Sequence, residues 1–172
     1  MLPEPIKATD LNIYGSDVLT WSRVSRAAEA SIGLPETPQF LGTIGKDGRP
    51  HSAGIGSILV GGHIYFTSGP ATRKSRDLVA NPGCTLSYRL LEVDLVLEGD
   101  AHRVTDAEVL DAVTAMYRES GWPAERSEDA VTAPYSAQSA GPAPWYLYRF
   151  TPRAATGVAL TDPHGATRWL FS

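Results

Sequence analysis

The stretch Tyr65-Phe66-Thr67-Ser68-Gly69-Pro70-Ala71-Thr72-Arg73-Lys74-Ser75 decides how the rest of the chain is read. An apolar strand ends in two hydroxyls, passes through a Gly-Pro break and enters a helix with Thr72 as its N-cap. Free backbone N–H groups and the positive dipole end make a helix N-terminus an anion site. Arg73 and Lys74 in that first turn oppose their own helix dipole, at a cost of a few tenths of a kcal/mol each, and a bound phosphate reverses the sign. Arg offers a fork for two phosphate oxygens and Lys a mobile point charge. The competing reading is a solvated basic face that pairs with Asp77 and neighbouring acids, and the residues alone leave both open.

Upstream, Phe40–Ile44 is a short apolar run, and Lys46-Asp47-Gly48-Arg49 supplies the Asp-Gly signal of a tight hairpin. The chain resumes from His51 to Val60, turns at Gly61-Gly62 and returns through His63–Thr67, which predicts a three-stranded meander. The small residues Ser52, Ala53 and Gly54 suit close approach of backbone to a flat ligand; a kink or bulge would use them equally well. Before this region, residues 1–34 read as a helical lead-in. Ser16 and Asp17 offer the cap, Val18, Trp21, Val24 and Ala28 recur at helical spacing, and Gly33-Leu34-Pro35 stops it.

Downstream, Asn81-Pro82 ends the short helix, and strands are expected over Cys84–Arg89 and Asp94–Arg103. Thr105 with Glu108 forms a capping box that opens a helix carrying Leu110, Val113, Thr114 and Tyr117 on one face. Residues 120–145, rich in Pro, Gly, Ser and Ala, read as a long loop of the functional or mobile kind. Strands return at Trp145–Phe150, Ala154–Leu160 and Thr167–Phe171. The pattern predicts one mainly β domain over residues 1–172, a six- or seven-stranded antiparallel barrel with helices inserted at its ends.

Composition narrows the partners. With 15 basic and 19 acidic residues the formal charge is −4, which argues against nucleic acid as the main ligand. Cys84 stands alone, so no intrachain disulfide forms and a reducing, cytoplasmic setting is expected; in a strand it reads as a small buried hydrophobe. No signal-peptide pattern or membrane-length apolar run occurs. His51, His63, His102 and His164 lack zinc-site spacing, so no metal is expected. Gly54-Ile55-Gly56-Ser57 lacks the third glycine of a dinucleotide fingerprint, and neither a P-loop nor a Gly-x-Ser-x-Gly elbow occurs.

The strand, Thr-Ser, Gly turn and Arg-Lys helix entry resemble the pyridoxamine phosphate oxidase-like, FMN-binding split-barrel superfamily. The Asp47-Gly48-Arg49-Pro50-His51 hairpin upstream, and Asn81-Pro82 and the run Leu97–Asp106 downstream, extend the resemblance from about Gln39 to Tyr117. Within it, Gly69–Arg76 and the closing Ala166-Thr167-Arg168-Trp169 are similar to the actinobacterial branch that uses the deazaflavin coenzyme F-420. The Arg-Leu-x-Pro element of true pyridoxamine phosphate oxidases is missing, which argues against a role in making pyridoxal phosphate.

The resemblance implies a homodimeric split β-barrel with a flavin or deazaflavin in each interface cleft. Arg73 and Lys74 would grip the cofactor phosphate, Thr67 and Ser68 would face the ribityl chain or ring edge, and His51, Ser52, Ala53 and Gly54 would lie along the ring. Tyr65, Trp145 and Arg168 complete the expected cofactor-binding set. Tyr135 and Trp145 either stack on substrate or cofactor or anchor the long loop. The implied activity is hydride transfer to or from a small organic substrate with coenzyme F-420, or with FMN instead. A proton would come from solvent, Tyr135, His51 or Tyr65, and no catalytic residue is singled out. A non-catalytic flavin carrier or sensor, a haem-binding barrel and a cofactor-free interaction domain are the competing classes.

Overall fold

The protein is described by a computed structural model that covers residues 1–171. In chain order its elements are β1 (Lys7–Asp10), α1 (Trp21–Ser31), β2 (Gln39–Ile44), β3 (Pro50–Gly54), β4 (Ser57–Val60), β5 (His63–Ser68) and α2 (Arg73–Ala80). There follow β6 (Gly83–Arg89), β7 (Val93–Val104), α3 (Ala107–Glu119), β8 (Glu125–Ser127), β9 (Ala130–Thr132), β10 (Tyr146–Ala159) and β11 (Ala166–Leu170). Nine strands form one antiparallel sheet in the order β1-β11-β10-β7-β6-β2-β3, with the β4–β5 hairpin joined to β10.

Alternation explains which faces are buried. In β2, Gln39, Leu41 and Thr43 point inward while Phe40 and Ile44 stay exposed. Leu86 and Tyr88 of β6 and Leu95 and Leu97 of β7 continue the inner face, and Phe66, Phe150 and Trp169 close it. Trp21, Val24 and Ala28 of α1 pack onto this core. A second apolar cluster holds α3 through Leu110, Val113 and Tyr117 against Ile58, Tyr65 and Leu147.

β10 carries the split. One edge pairs with β7 from Leu147 to Ala159; the other is shared, with Tyr146–Phe150 taking β5 and Ala154–Val158 taking β11. The register with β7 shifts between Pro152 and Ala154, where proline has no N–H for the ladder. Opposite this bulge, a side chain on Gly99 would run into the Thr151 carbonyl, so only glycine lets β7 pass.

The structure corrects the sequence expectations at five places. The 1–34 segment is not a helical lead-in throughout: β1 pairs Lys7–Asp10 with β11, and α1 begins after an N-cap at Thr20, not at Ser16 or Asp17. The 51–60 run breaks at Ile55-Gly56, so β3 stays with β2 while β4 leaves to pair with β5, and no three-stranded meander forms. The separate strands expected over Trp145–Phe150 and Ala154–Leu160 are one bulged strand, β10. The 120–145 loop contains the β8–β9 hairpin, tied to Trp145 through a bridge at Val131. Asp106, not Thr105, caps α3, accepting from the Val109 N–H at 3.0 Å. The count therefore rises from the expected six or seven strands to nine in the main sheet.

Candidate functional site

The break at Ile55-Gly56 opens the site. Where β3 and β4 part company, a cleft of about 540 Å³ is lined by Gly54–Ile58, by Thr67, Ser68 and Lys74, and by Gln39. Leu34, Tyr117, Trp122 and Tyr135 give it apolar and aromatic walls. A Cβ added at Gly54 or Gly56 would meet nothing within 4 Å, so bare backbone faces open space along one wall.

The turn from β5 into α2 is held by hydroxyls. Ser68 Oγ lies 2.8 Å from Thr72 Oγ1 and accepts from Ser75 Oγ at 3.0 Å, while Thr72 Oγ1 donates to the Gly69 carbonyl and accepts from the Ser75 N–H. Ser68 is therefore a buried part of the cap as well as of the cleft wall. Lys74 enters the cleft with no acidic partner among the described residues, and its partial burial holds the ammonium below its ordinary pKa.

The two cations that follow Thr72 diverge. Arg73 lies in a neighbouring hollow with Lys46, Asp47, Arg76 and Asp77, and its Nε is 3.7 Å from the Asp77 carboxylate. Asp77 is buried and also accepts from Thr43 Oγ1 at 2.8 Å. One cation thus faces the cleft and the other pairs with Asp77.

Of the other expected site residues, only Gly54, Thr67 and Ser68 join Lys74 in the cleft. His51, Ser52 and Ala53 continue from Gly54 along β3, which pairs on one side only, with β2. Tyr65 is buried beneath α3 with its ring edge-on to His63. Trp145 is buried too, donating from Nε1 to the Gly141 carbonyl at 3.0 Å and packing on Trp122, so it anchors the loop. Arg168 is bound in a fork to Glu98, at 2.7 and 3.0 Å, on the sheet face. Of the three side chains expected as proton sources, Tyr135 alone lines the cleft.

Sequence reasoning missed Gln39, Ser57, Tyr117 and Trp122. Tyr117 has its hydroxyl buried with no hydrogen-bond partner, and burial raises its pKa, with a smaller push from Tyr88. Elsewhere, the buried Cys84 thiol is pushed up to about 12 by burial and then by Asp100, which keeps it protonated and inert. No group of three or more potential metal ligands occurs, and no helix is long and apolar enough to cross a membrane, among the described residues.

Comparison with known proteins agrees with the fold. An FMN-binding protein related to pyridoxamine 5'-phosphate oxidase from Nostoc punctiforme superposes with a TM-score of 0.58 at 16% identity, over 88% of this chain and 91% of that one. The PhzG structure from Burkholderia lata, in complex with tetrahydrophenazine-1-carboxylic acid, gives 0.58 at 15% identity, over 88% and 84% of the two chains. An F420 reductase gives 0.50 at 20% identity, over 74% of this chain and 94% of that one. These likenesses identify the fold as the split barrel. No match was found among curated proteins. The family profile described as pyridoxamine 5'-phosphate oxidase matches residues 33–158, a span that runs from the first wall of the cleft through β10, and the chain belongs to that family.

Proposed function

We propose that this protein is an oxidoreductase that holds a phosphate-bearing tricyclic cofactor, coenzyme F-420 on the first reading, in the cleft between β3 and α2. The observation that carries the proposal is Lys74, a half-buried cation without an acid, beside a glycine-lined wall. An uncompensated ammonium in a cleft favours an anion there, and bare backbone at Gly54 and Gly56 accepts the flat face of a ring. Lys74 would hold the phosphate, with Arg73 as a second cation from the adjoining hollow, and Thr67 would face the ribityl chain. Bound there, the cofactor supplies hydride transfer to or from a small organic substrate. Trp122 would help exclude water, and Tyr135, exposed at the rim, is the one of the three expected proton sources that lines the cleft. FMN is the second reading, favoured by the FMN-binding Nostoc relative.

We also infer a homodimer whose interface completes the cleft. A cross-strand row runs Gly54, Phe40, Ser87, Val96 on β3, β2, β6 and β7, so the exposed Phe40 and Val96 lie in line with Gly54 at the cleft wall. Phe40 and Val96 on that face, with small neighbours, suit a second sheet.

The test is a titration of purified protein with coenzyme F-420 and with FMN, followed by reduction assays with the one that binds. Binding with turnover is expected; binding without any turnover would make the protein a carrier or sensor, and binding of neither would overturn the reading.

A further inference from the structure

We propose that Gln39 is the residue that reads the polar edge of the ring: its Nε2 donates to an uncharged acceptor, a carbonyl oxygen or ring nitrogen, on the ligand seated in the cleft. The proposal rests on the reading above that the cleft takes a flat, phosphate-bearing ring.

Gln39 opens β2, and its backbone carbonyl accepts from Ile55 N–H at 3.2 Å, at the point where β3 and β4 diverge. The residue is 9% exposed and lines the cleft. Oε1 accepts from the Ser57 backbone N–H at 2.9 Å and from Ser57 Oγ at 2.6 Å. A backbone N–H can only donate, so the oxygen must face Ser57 and Nε2 must point the other way. Ser57 Oγ spends its proton on Gln39 and therefore accepts from Tyr88 Oη at 2.9 Å, which makes a one-way chain from Tyr88 through Ser57 to Gln39. Tyr88 is itself almost fully buried, and burial raises its pKa, so it stays a donor across the physiological range.

The chain fixes the carboxamide plane, and Nε2 has no acceptor among the described residues. Gln39 Nε2 is not among the fully buried polar atoms left without a partner, so it reaches solvent at the cleft, where a ligand acceptor would take the place of water. The carboxamide is neutral, while Lys74 in the same cleft is the group suited to an anion. The two would divide the ligand between them, Lys74 taking the phosphate and Gln39 the heterocycle's amide-like edge.

The experiment uses Gln39→Met, which removes donor and acceptor, and Gln39→Glu, which keeps an acceptor for Ser57 but replaces Nε2 with oxygen. Each is titrated at about pH 8, where a carboxyl is ionised, with the ring the wild-type protein binds, with and without its phosphate. The pairs are FMN against riboflavin, or coenzyme F-420 against its phosphate-free riboside. Both variants should lose about tenfold or more in affinity, equally for the two members of a pair. Lys74→Ala, in contrast, should lose affinity only for the phosphorylated member. The bound ring's carbonyl stretch should move to higher frequency in both Gln39 variants. Unchanged affinity and stretch with only a lowered melting temperature would make Gln39 a structural residue and overturn the proposal alone. Failure of the wild-type protein to bind any of the four compounds would overturn the proposed function and this role together.

Discussion

A side chain on Gly69 would strike the backbone carbonyl of Ala140. The turn that leads into α2 and the segment that forms the far wall of the cleft are therefore in contact through a position that tolerates no Cβ. Gly69→Ala should force the Ala140 segment outward, an overpacking cost of roughly 1–3 kcal/mol. The expected result is a modest fall in melting temperature together with faster proteolysis near residue 140 and weaker cofactor binding. Cofactor affinity and proteolysis equal to wild type would show that the wall is not held through this contact.

Separating the two cations gives a sharper prediction than removing both. Lys74→Ala should weaken binding of the phosphorylated cofactor by about tenfold to a hundredfold, the loss of one charge-assisted hydrogen bond, with little change in the apo melt. Arg73→Ala takes a half-exposed partner from the buried Asp77, whose other bond from Thr43 remains. Screened by solvent, that loss should cost about 1 kcal/mol or less in apo stability. Titration and thermal melts of the single variants check both; a binding loss in Arg73→Ala as large as that in Lys74→Ala, with no stability change in either, would reject Lys74 as the leading phosphate anchor.

Arg168 gives the fold a defined acid limb. Its fork holds the Glu98 carboxyl below the ordinary carboxylate pKa, first by hydrogen bonding and, after opposing desolvation, by charge. A depressed folded pKa contributes stability above the unfolded value of 4.5 and loses it as pH falls through the folded one. Both side chains are more than a third exposed, so the contribution should be at most about 1 kcal/mol. Arg168→Ala should melt lower than wild type at neutral pH, and the gap should close as the solution is taken below the carboxylate range. A gap that persists at low pH would attribute the effect to packing.

Phe40 tests the dimer. It is 50% exposed on the outer sheet face, in register with Gly54 on one side and Ser87 on the other. Light scattering at micromolar concentration should give a dimer for the wild-type protein and a monomer for Phe40→Glu, with the variant also binding cofactor more weakly. A monomeric wild-type protein that binds cofactor tightly would reject the shared cleft.

Much of this was legible in the residues because it is local. Thr72 does cap α2, Leu110, Val113, Thr114 and Tyr117 do form the buried stripe of α3, and the alternation of β6 and β7 carries their inner faces. Lys74 stands out in the sequence because a cation at a helix entry has local meaning, and it lines the cleft. The burial of Tyr65 and Trp145 and the partner of Arg168 were not legible, since they depend on distant segments: Tyr65 lies beneath α3, Trp145 packs on Trp122, and Arg168 meets Glu98 two strands away only because β10 lies between β11 and β7. Gln39 was missed for a related reason. A glutamine after a proline looks like a surface residue until Ser57, at the start of another hairpin, supplies its two donors. The break at Ile55-Gly56 is invisible within an apolar run, because the change of partner depends on β5 and β10.

The divided edge of β10 also sets the order of assembly. The hairpins β2–β3 and β4–β5 join nearby residues, yet they share a sheet only through strands further along the chain, β6 and β7 on one route and β10 on the other. On a ribosome, neither half could be locked to its neighbour until residues 146–159 had left the exit tunnel. The β4–β5 hairpin, which contributes Ser57, Ile58, Thr67 and Ser68 to the cleft, would wait for β10 with an unpaired edge, as β1 would wait for β11, which leaves that closure exposed to aggregation.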